Sequence, residues 1–175
     1  MELITAKNGL RIALQPNNTA RSVAINLYIL CGSRNETEKN VGSAHFLEHM
    51  IFKGTGEIGL QELNRRFDKM GGHFNAYTSK EHTCIYCQVL ESDAPEALSL
   101  MLKIVNNPAL STEDLEIEKG VILEEINMYE DSPEDLAAES LCSLIYKSDP
   151  LGRPVIGNKK SVAGITAGGL KKYRQ

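Results

Sequence analysis

The segment His45-Phe46-Leu47-Glu48-His49 constrains the fold of this chain more than any other feature of the sequence. On an α-helix, positions 45, 48 and 49 fall within an arc of about 100°, so the two imidazoles and the carboxylate share one face. The opposite face carries only apolar side chains: Phe46, Leu47, Met50 and Ile51. The sequence therefore predicts a helix over about 44–53, with Ser43 as its N-cap, that is buried in protein and open only at its polar face.

Two histidines four residues apart on a helix can bind one metal ion from the same side. Because Glu48 points to that side as well, the residue types favour zinc. The alternative interpretation is a pair of exposed polar histidines without a metal. The apolar opposite face, and glycines at both ends of the segment (Gly42 and Gly54), favour the metal site.

A catalytic zinc site needs a third protein ligand and an open position for water. The helix predicted over 112–130 offers Glu118 and Glu125, which share one face with Val121 and Ile122. Two carboxylates on an apolar stripe are costly to bury unless a metal or a cation neutralises them. Spacing alone leaves open whether they face a metal or pair with Lys or Arg. Two other glutamates of this helix lie elsewhere on its surface and are expected to meet solvent: Glu116 and Glu124.

The order of strand-like and helix-like segments favours an α+β fold. Strands are predicted at five places: 2–7, 10–15, 22–30, 73–79 and 82–91. Helices are predicted at six places: 44–53, 59–70, 94–105, 112–130, after Ser132, and from Thr166. Because both faces of strand 22–30 are fairly apolar, we expect it to be central. The expected architecture is a mixed, largely antiparallel sheet packed against several helices in two layers.

Composition and charge exclude some classes of function. The formal net charge of −4 gives no electrostatic support for nucleic-acid binding. No apolar run approaches the length of a membrane span, and the N-terminal residues show neither a secretory signal nor a transit peptide. We therefore expect a cytoplasmic protein with no nucleic-acid and no membrane partner.

Several segments, taken together and in order, resemble the insulinase family of zinc metallopeptidases with the inverted His-x-x-Glu-His motif, which includes pitrilysin and the processing peptidase of mitochondria. The resemblance is carried by NGLRIALQP, GSRNE, GSAHFLEHMIFKGT, GGHFNAYTSKEHTCIYC, EKGVILEEINMYEDSP and LGRPVIGNKKSV. HFLEHM followed by ILEEI is specific to this family. The resemblance implies the first half of a two-domain peptidase. Residues 1–175 are thus expected to be an N-terminal zinc-binding domain, truncated before its natural end and lacking the second homologous half.

The resemblance also implies a role for each site residue. In the family, the third zinc ligand follows the second histidine of the motif by about 76 residues, which selects Glu125 and leaves Glu124 as its rival. One zinc ion per chain is expected, with three ligands: His45, His49 and Glu125. Glu48 matches the general base, and Glu118 matches a second carboxylate that assists catalysis. Glu118 is expected to orient His45 or to tune the attacking water.

The function implied by the resemblance is a zinc-dependent endopeptidase that hydrolyses peptides or unfolded, presequence-like segments. Segment 74–78 resembles the family's edge strand beside the zinc, where an extended peptide adds by main-chain hydrogen bonds, with Asn75 and Ala76 as its contacts. The expected partners are the peptide, the C-terminal homologous half or a partner subunit, and a second copy in a dimer. The alternative is a non-catalytic scaffold subunit of the same family. Because the second half is missing, the isolated chain is expected to bind zinc but to cleave peptides poorly.

Overall fold

The computed structural model of this protein describes residues 1–174. Over these residues it forms five strands: β1 (Glu2–Thr5), β2 (Arg11–Leu14), β3 (Ser22–Ile29), β4 (His73–Thr78) and β5 (Thr83–Leu90). It also forms seven α-helices: α1 (Ser43–Ile51), α2 (Leu60–Met70), α3 (Ala94–Asn106), α4 (Thr112–Glu130), α5 (Pro133–Tyr146), α6 (Lys159–Gly164) and α7 (Ala167–Tyr173). Every predicted strand and helix is present near its expected bounds. Helix α6, capped by Asn158, is one that the sequence pattern did not indicate.

The strands form two small antiparallel sheets, which confirms the predicted α+β class. Strands β1 and β2 make a hairpin, and the other three strands are ordered β3-β5-β4. The expectation that strand 22–30 is central is wrong, because β5 pairs with both of its neighbours and β3 lies at an edge. Side chains of β3 alternate between exposed and half-buried, whereas most side chains of β5 are buried. Apolar residues on both faces of β3 therefore did not identify the central strand.

Helix α1 begins at Ser43, the residue expected to cap it, so its N-cap lies one residue earlier than predicted. Gly42, not Ser43, occupies the N-cap position, and its φ of 88° lies in the left-handed region that glycine tolerates. A Cβ atom on Gly42 would also lie 2.8 Å from the carbonyl oxygen of Ile156. The close approach of the segment around residue 156 therefore requires a glycine at the start of this helix, and Ser43 becomes its first helical residue.

The core consists of two apolar clusters, and α1 contributes to both. One cluster joins the three-stranded sheet to α2 and α3 and includes Ile51 of α1. The other joins α1 to α4, α6 and α7, and its members include Phe46 and Met50, each 0% exposed. Leu47 packs against both clusters. Helix α1 is thus held between the sheet and α4, and its polar face is directed to the space between β4 and α4.

Among residues 1–174, no helix combines the length and the apolar character that crossing a lipid bilayer requires.

Replacement of Phe46 by alanine tests how firmly α1 is held. We expect Phe46→Ala to lower the free energy of unfolding by about 3–5 kcal/mol, because it opens a cavity between α1 and α4. The matched control is Leu144→Ala on α5, where the side chain is 73% exposed and the expected change is within about 0.5 kcal/mol. Urea denaturation followed by circular dichroism measures both values. Equal effects of the two substitutions would contradict this packing arrangement.

Candidate metal centre

Helices α1 and α4 bring two imidazoles and one carboxylate together. His45 Nε2 lies 3.7 Å from Glu125 Oε1, and His49 Nε2 lies 3.5 Å from Glu125 Oε2. The two imidazole rings have their centroids 4.7 Å apart. The donor atoms of the three residues all lie within 4.8 Å of one another. These are the three residues that the sequence analysis proposed as metal ligands.

The spacing of these donor atoms fits a zinc ion. Bonds of about 2.0–2.2 Å in a tetrahedral site place neighbouring donor atoms about 3.4 Å apart. The two histidine–glutamate distances, 3.5 and 3.7 Å, are close to that value. Burial of the ring, with a smaller contribution from His49, lowers the pKa of His45 to about 4. His45 is therefore neutral near pH 7, the form in which an imidazole nitrogen binds a metal.

Glu125 and its rival Glu124 have different surroundings in the structure. Glu125 faces the two histidines, whereas Glu124 is exposed and its Oε2 accepts a hydrogen bond from Asn127 Nδ2 at 3.4 Å. Glu116 is exposed as predicted. Val121, expected on the buried face with Glu118, is instead 47% exposed, so the buried stripe of α4 is narrower than its spacing indicated.

Glu118 is buried, at 5% exposed, and makes two polar contacts. His49 Nδ1 lies 3.1 Å from Glu118 Oε1, and Lys53 Nζ lies 2.6 Å from Glu118 Oε2. Of the two alternatives that spacing left open, pairing with a lysine is present for Glu118, which also contacts the imidazole of His49. The expectation that Glu118 orients His45 is wrong, since it contacts His49, and its expected role in tuning the water stays a prediction. The buried Nδ1 of His45 has no hydrogen-bond partner within the described part of the chain.

Glu48 lies on the same face of α1 as the two histidines, and a residue of strand β4 binds its carboxylate. Thr78 Oγ1 donates a hydrogen bond of 2.6 Å to Glu48 Oε2. Burial raises the pKa of Glu48, and the hydrogen bond from Thr78 opposes that shift. A carboxylate with a raised pKa accepts a proton from water more readily than an ordinary one, which is the property required of a general base.

Thr78 and Lys53 were not predicted as site residues, although the spacing of each in the sequence relates it to a predicted one. Lys53 follows His49 by four residues, so the two side chains lie on the same side of the chain as α1 ends. Thr78 lies two residues after Ala76 in β4, so the two side chains share a face of the strand. Their partners, Glu118 and Glu48, could not be identified without the packing of α1 against β4 and α4.

A cavity of about 570 Å³ opens beside the clustered residues. His45, Glu48 and Glu125 lie in its wall, together with segment 154–158. Three further acidic side chains line it: Glu130, Asp135 and Glu139. Lysines neutralise two of them, because Lys159 pairs with Glu130 and Lys80 pairs with Glu139. The cavity thus has a net negative lining next to the candidate metal ligands.

Strand β4 has an open edge close to this cavity. Among the described residues β4 pairs only with β5, so the backbone groups of its other edge have no strand partner. The side chain of Ala76 is buried, and the main-chain N–H of Ala76 donates a hydrogen bond to Asn75 Oδ1 at 2.8 Å. The roles of Asn75 and Ala76 in substrate binding stay predictions.

An inverted His-x-x-Glu-His helix packed beside a glutamate-bearing helix is typical of one class of zinc metallopeptidases. The chain matches the family model described as insulinase (peptidase family M16) over residues 11–159. It therefore belongs to the insulinase family, as the resemblance of its segments predicted. Over 169 residues it is 42% identical to an uncharacterized zinc protease, YmxG, of Bacillus subtilis (strain 168), a match that covers 97% of this chain and 41% of the relative.

Solved structures share the fold. A protease from Helicobacter pylori is similar with a TM-score of 0.92 and 26% identity, over 99% of this chain and 42% of that one. A peptidase M16 inactive domain from Pseudomonas fluorescens is similar with a TM-score of 0.90 and 20% identity, over 98% of this chain and 42% of that one. The second likeness shows the fold alone. The chain spans about two fifths of the length of these relatives.

The assignment of the third ligand is tested with neighbouring glutamates as matched variants. We expect Glu125→Gln to lower the affinity for zinc at least about tenfold, because it removes one of three protein ligands. Glu124→Gln, a substitution of the same chemistry one residue away, is expected to keep about one zinc per chain. Elemental analysis after dialysis measures the zinc content of both variants and of the unmodified protein. Equal zinc contents in the two variants would contradict the assignment of Glu125.

Proposed function

We propose that this chain is the zinc-binding, catalytic part of a metalloendopeptidase that hydrolyses peptides or unfolded segments. The observation that carries the proposal is the clustering of the His45, His49 and Glu125 donor atoms within 4.8 Å, beside the Glu48 carboxylate and an open cavity. Membership of a peptidase family whose curated relatives are named zinc proteases supports it. The proposed cofactor is one zinc ion per chain.

In this proposal three residues of the protein have separate roles in peptide hydrolysis: Glu48, Thr78 and Glu118. A bound zinc ion would supply Lewis-acid polarisation of the scissile carbonyl and would acidify the attacking water. Glu48 takes the proton from that water and then gives it to the leaving amine. Thr78 fixes the position of the Glu48 carboxylate through its 2.6 Å hydrogen bond. Glu118 holds His49 in one tautomer and orientation through Nδ1.

The open edge of β4 and the lining of the cavity support a particular kind of substrate. An extended peptide can add to a strand edge by main-chain hydrogen bonds, a mode that depends little on side chains. The cavity beside the metal candidates carries more carboxylates than lysines. We therefore propose that a basic side chain near the scissile bond improves cleavage, since it would offset this negative charge.

The competing function is that of a non-catalytic scaffold subunit. An inactive domain shares this fold at 20% identity, so the fold by itself does not separate the two functions. The side chains support the peptidase, because hydrolysis needs the metal ligands and the base together. His45, Glu48, His49 and Glu125 are all present and adjacent, which favours the peptidase.

We further propose that the catalytic unit needs more protein than this chain. The curated and structural relatives are more than twice as long as the region matched, and a second homologous half or a partner subunit would close the cavity over the peptide. On this basis the isolated chain binds zinc and turns over peptides poorly. Cytoplasmic localisation stays a prediction.

The test of this function uses the full-length peptidase and Glu48→Gln. Because glutamine cannot accept the proton, we expect kcat/KM on an unfolded peptide to fall at least about 10²-fold while the zinc content stays near one per chain. The control is Glu116→Gln, which changes an exposed carboxylate of α4 and should leave both values unchanged. Wild-type cleavage by Glu48→Gln would overturn the proposed mechanism. Zinc-loaded wild-type protein that fails to cleave unfolded peptides would favour the scaffold function.

A further inference from the structure

Glu36 is a buried carboxylate that belongs to none of the roles described above. It lies in the loop before α1 and is 3% exposed. Its Oε2 accepts the N–H of Gly42 at 2.7 Å, and its Oε1 accepts the N–H of Ala44 at 2.7 Å. Gly42 is the N-cap residue of α1, and Ala44 lies in the first helical turn. Glu36 therefore binds main-chain groups at the start of the helix that carries His45, Glu48 and His49.

The first turn of a helix has N–H groups without a helical partner, and an N-cap side chain normally accepts one of them. Gly42 has no side chain to do this, because the segment around Ile156 approaches too closely for a Cβ atom. Glu36 supplies the missing acceptor from six residues earlier, with one oxygen for each of two N–H groups. This pair of hydrogen bonds ties the first turn of α1 to the loop at Glu36.

The backbone of Glu36 also binds the residue that comes directly before the cavity-lining segment 154–158. Arg153 Nη1 donates to the carbonyl oxygen of Glu36 at 2.8 Å, and residues 154–158 line the cavity directly after Arg153. Lys80 Nζ in turn donates to the carbonyl oxygen of Arg153. The loop before α1 is thus hydrogen-bonded to Arg153, which leads into the segment that forms one side of the cavity.

We propose that Glu36 is a positioning residue of the metal centre, which sets the placement of His45, Glu48 and His49 relative to Glu125 and to the cavity wall. The inference rests on the proposed zinc-peptidase function. Glu36 acts through α1 and does not touch the metal or the substrate.

A carboxylate suits this position better than any neutral isostere. Both of its oxygens accept, whereas the amide of a glutamine would turn one NH₂ donor towards a main-chain N–H. Burial raises the pKa of Glu36 to about 7, and the N–H groups of Ala44 and Gly42 oppose that shift, so the form with two accepting oxygens predominates above that pH. A helix N-terminus also favours a negative charge. The chain thus keeps an acidic group in a poorly solvated place where its two acceptor atoms are both used.

The test compares Glu36→Gln with Thr166→Val in the full-length protein. Thr166 caps α7 through a hydrogen bond from Gly169, so Thr166→Val also removes a helix cap but leaves the start of α1 intact. We expect Glu36→Gln to weaken zinc binding at least about tenfold in competition with a chromophoric chelator. We also expect it to alter the visible absorption of the cobalt-substituted protein. Thr166→Val should change neither. Wild-type zinc affinity and an unaltered cobalt spectrum in folded Glu36→Gln would overturn the inference.

Amide hydrogen exchange in the unmodified protein provides a second test, which stands even where Glu36→Gln fails to fold. The N–H groups of Gly42 and Ala44 should exchange slowly, because a buried carboxylate accepts both. Exchange as fast as that of exposed loops would overturn the inference. Unmodified protein that binds no zinc would instead overturn the proposed function, whatever the exchange rates, so the two failures are distinguishable.

Discussion

The candidate site depends on the packing of one nine-residue helix between two apolar clusters. Phe46 and Met50 fix α1 against α4, and Ile51 fixes it against the sheet and its helices. With its apolar side buried in this way, α1 has one orientation in which its histidines face Glu125 of α4 and its glutamate faces Thr78 of β4. The chemistry of the site is therefore a consequence of hydrophobic packing on the opposite side of the same helix.

Three buried or half-buried glutamates lie on or beside this helix, and each is held by a different kind of donor. Glu36 binds main-chain N–H groups at the helix start, Glu118 contacts a lysine and an imidazole, and Glu48 accepts from a threonine hydroxyl. Because burying a carboxylate without such donors is costly, these contacts limit each side chain to one position. Each of these three carboxylates is thus held in place by groups of the protein itself.

Much of this arrangement could be predicted from the sequence, and the exceptions have physical causes. Helix α1, the helices that begin after Ser132 and from Thr166, and the shared face of Glu118 and Glu125 follow from local spacing and capping chemistry. The assignment of Glu125 as a metal ligand needed a family resemblance, because spacing left open whether it faces a metal or pairs with a lysine or an arginine. The central position of β5, the contact of Glu118 with His49, and the capping of α1 by Glu36 are all tertiary features. No local pattern encodes which segment packs beside which.

X-ray absorption at the zinc edge of the full-length protein tests whether the metal is bound between α1 and α4. We expect one zinc per chain with nitrogen and oxygen neighbours at about 2.0–2.2 Å and the multiple-scattering pattern of two imidazoles. Glu125→Gln should alter that first coordination shell, whereas Glu124→Gln should leave it unchanged. Sulfur neighbours at about 2.3 Å would contradict this assignment, because they would place the metal on cysteines and not between α1 and α4.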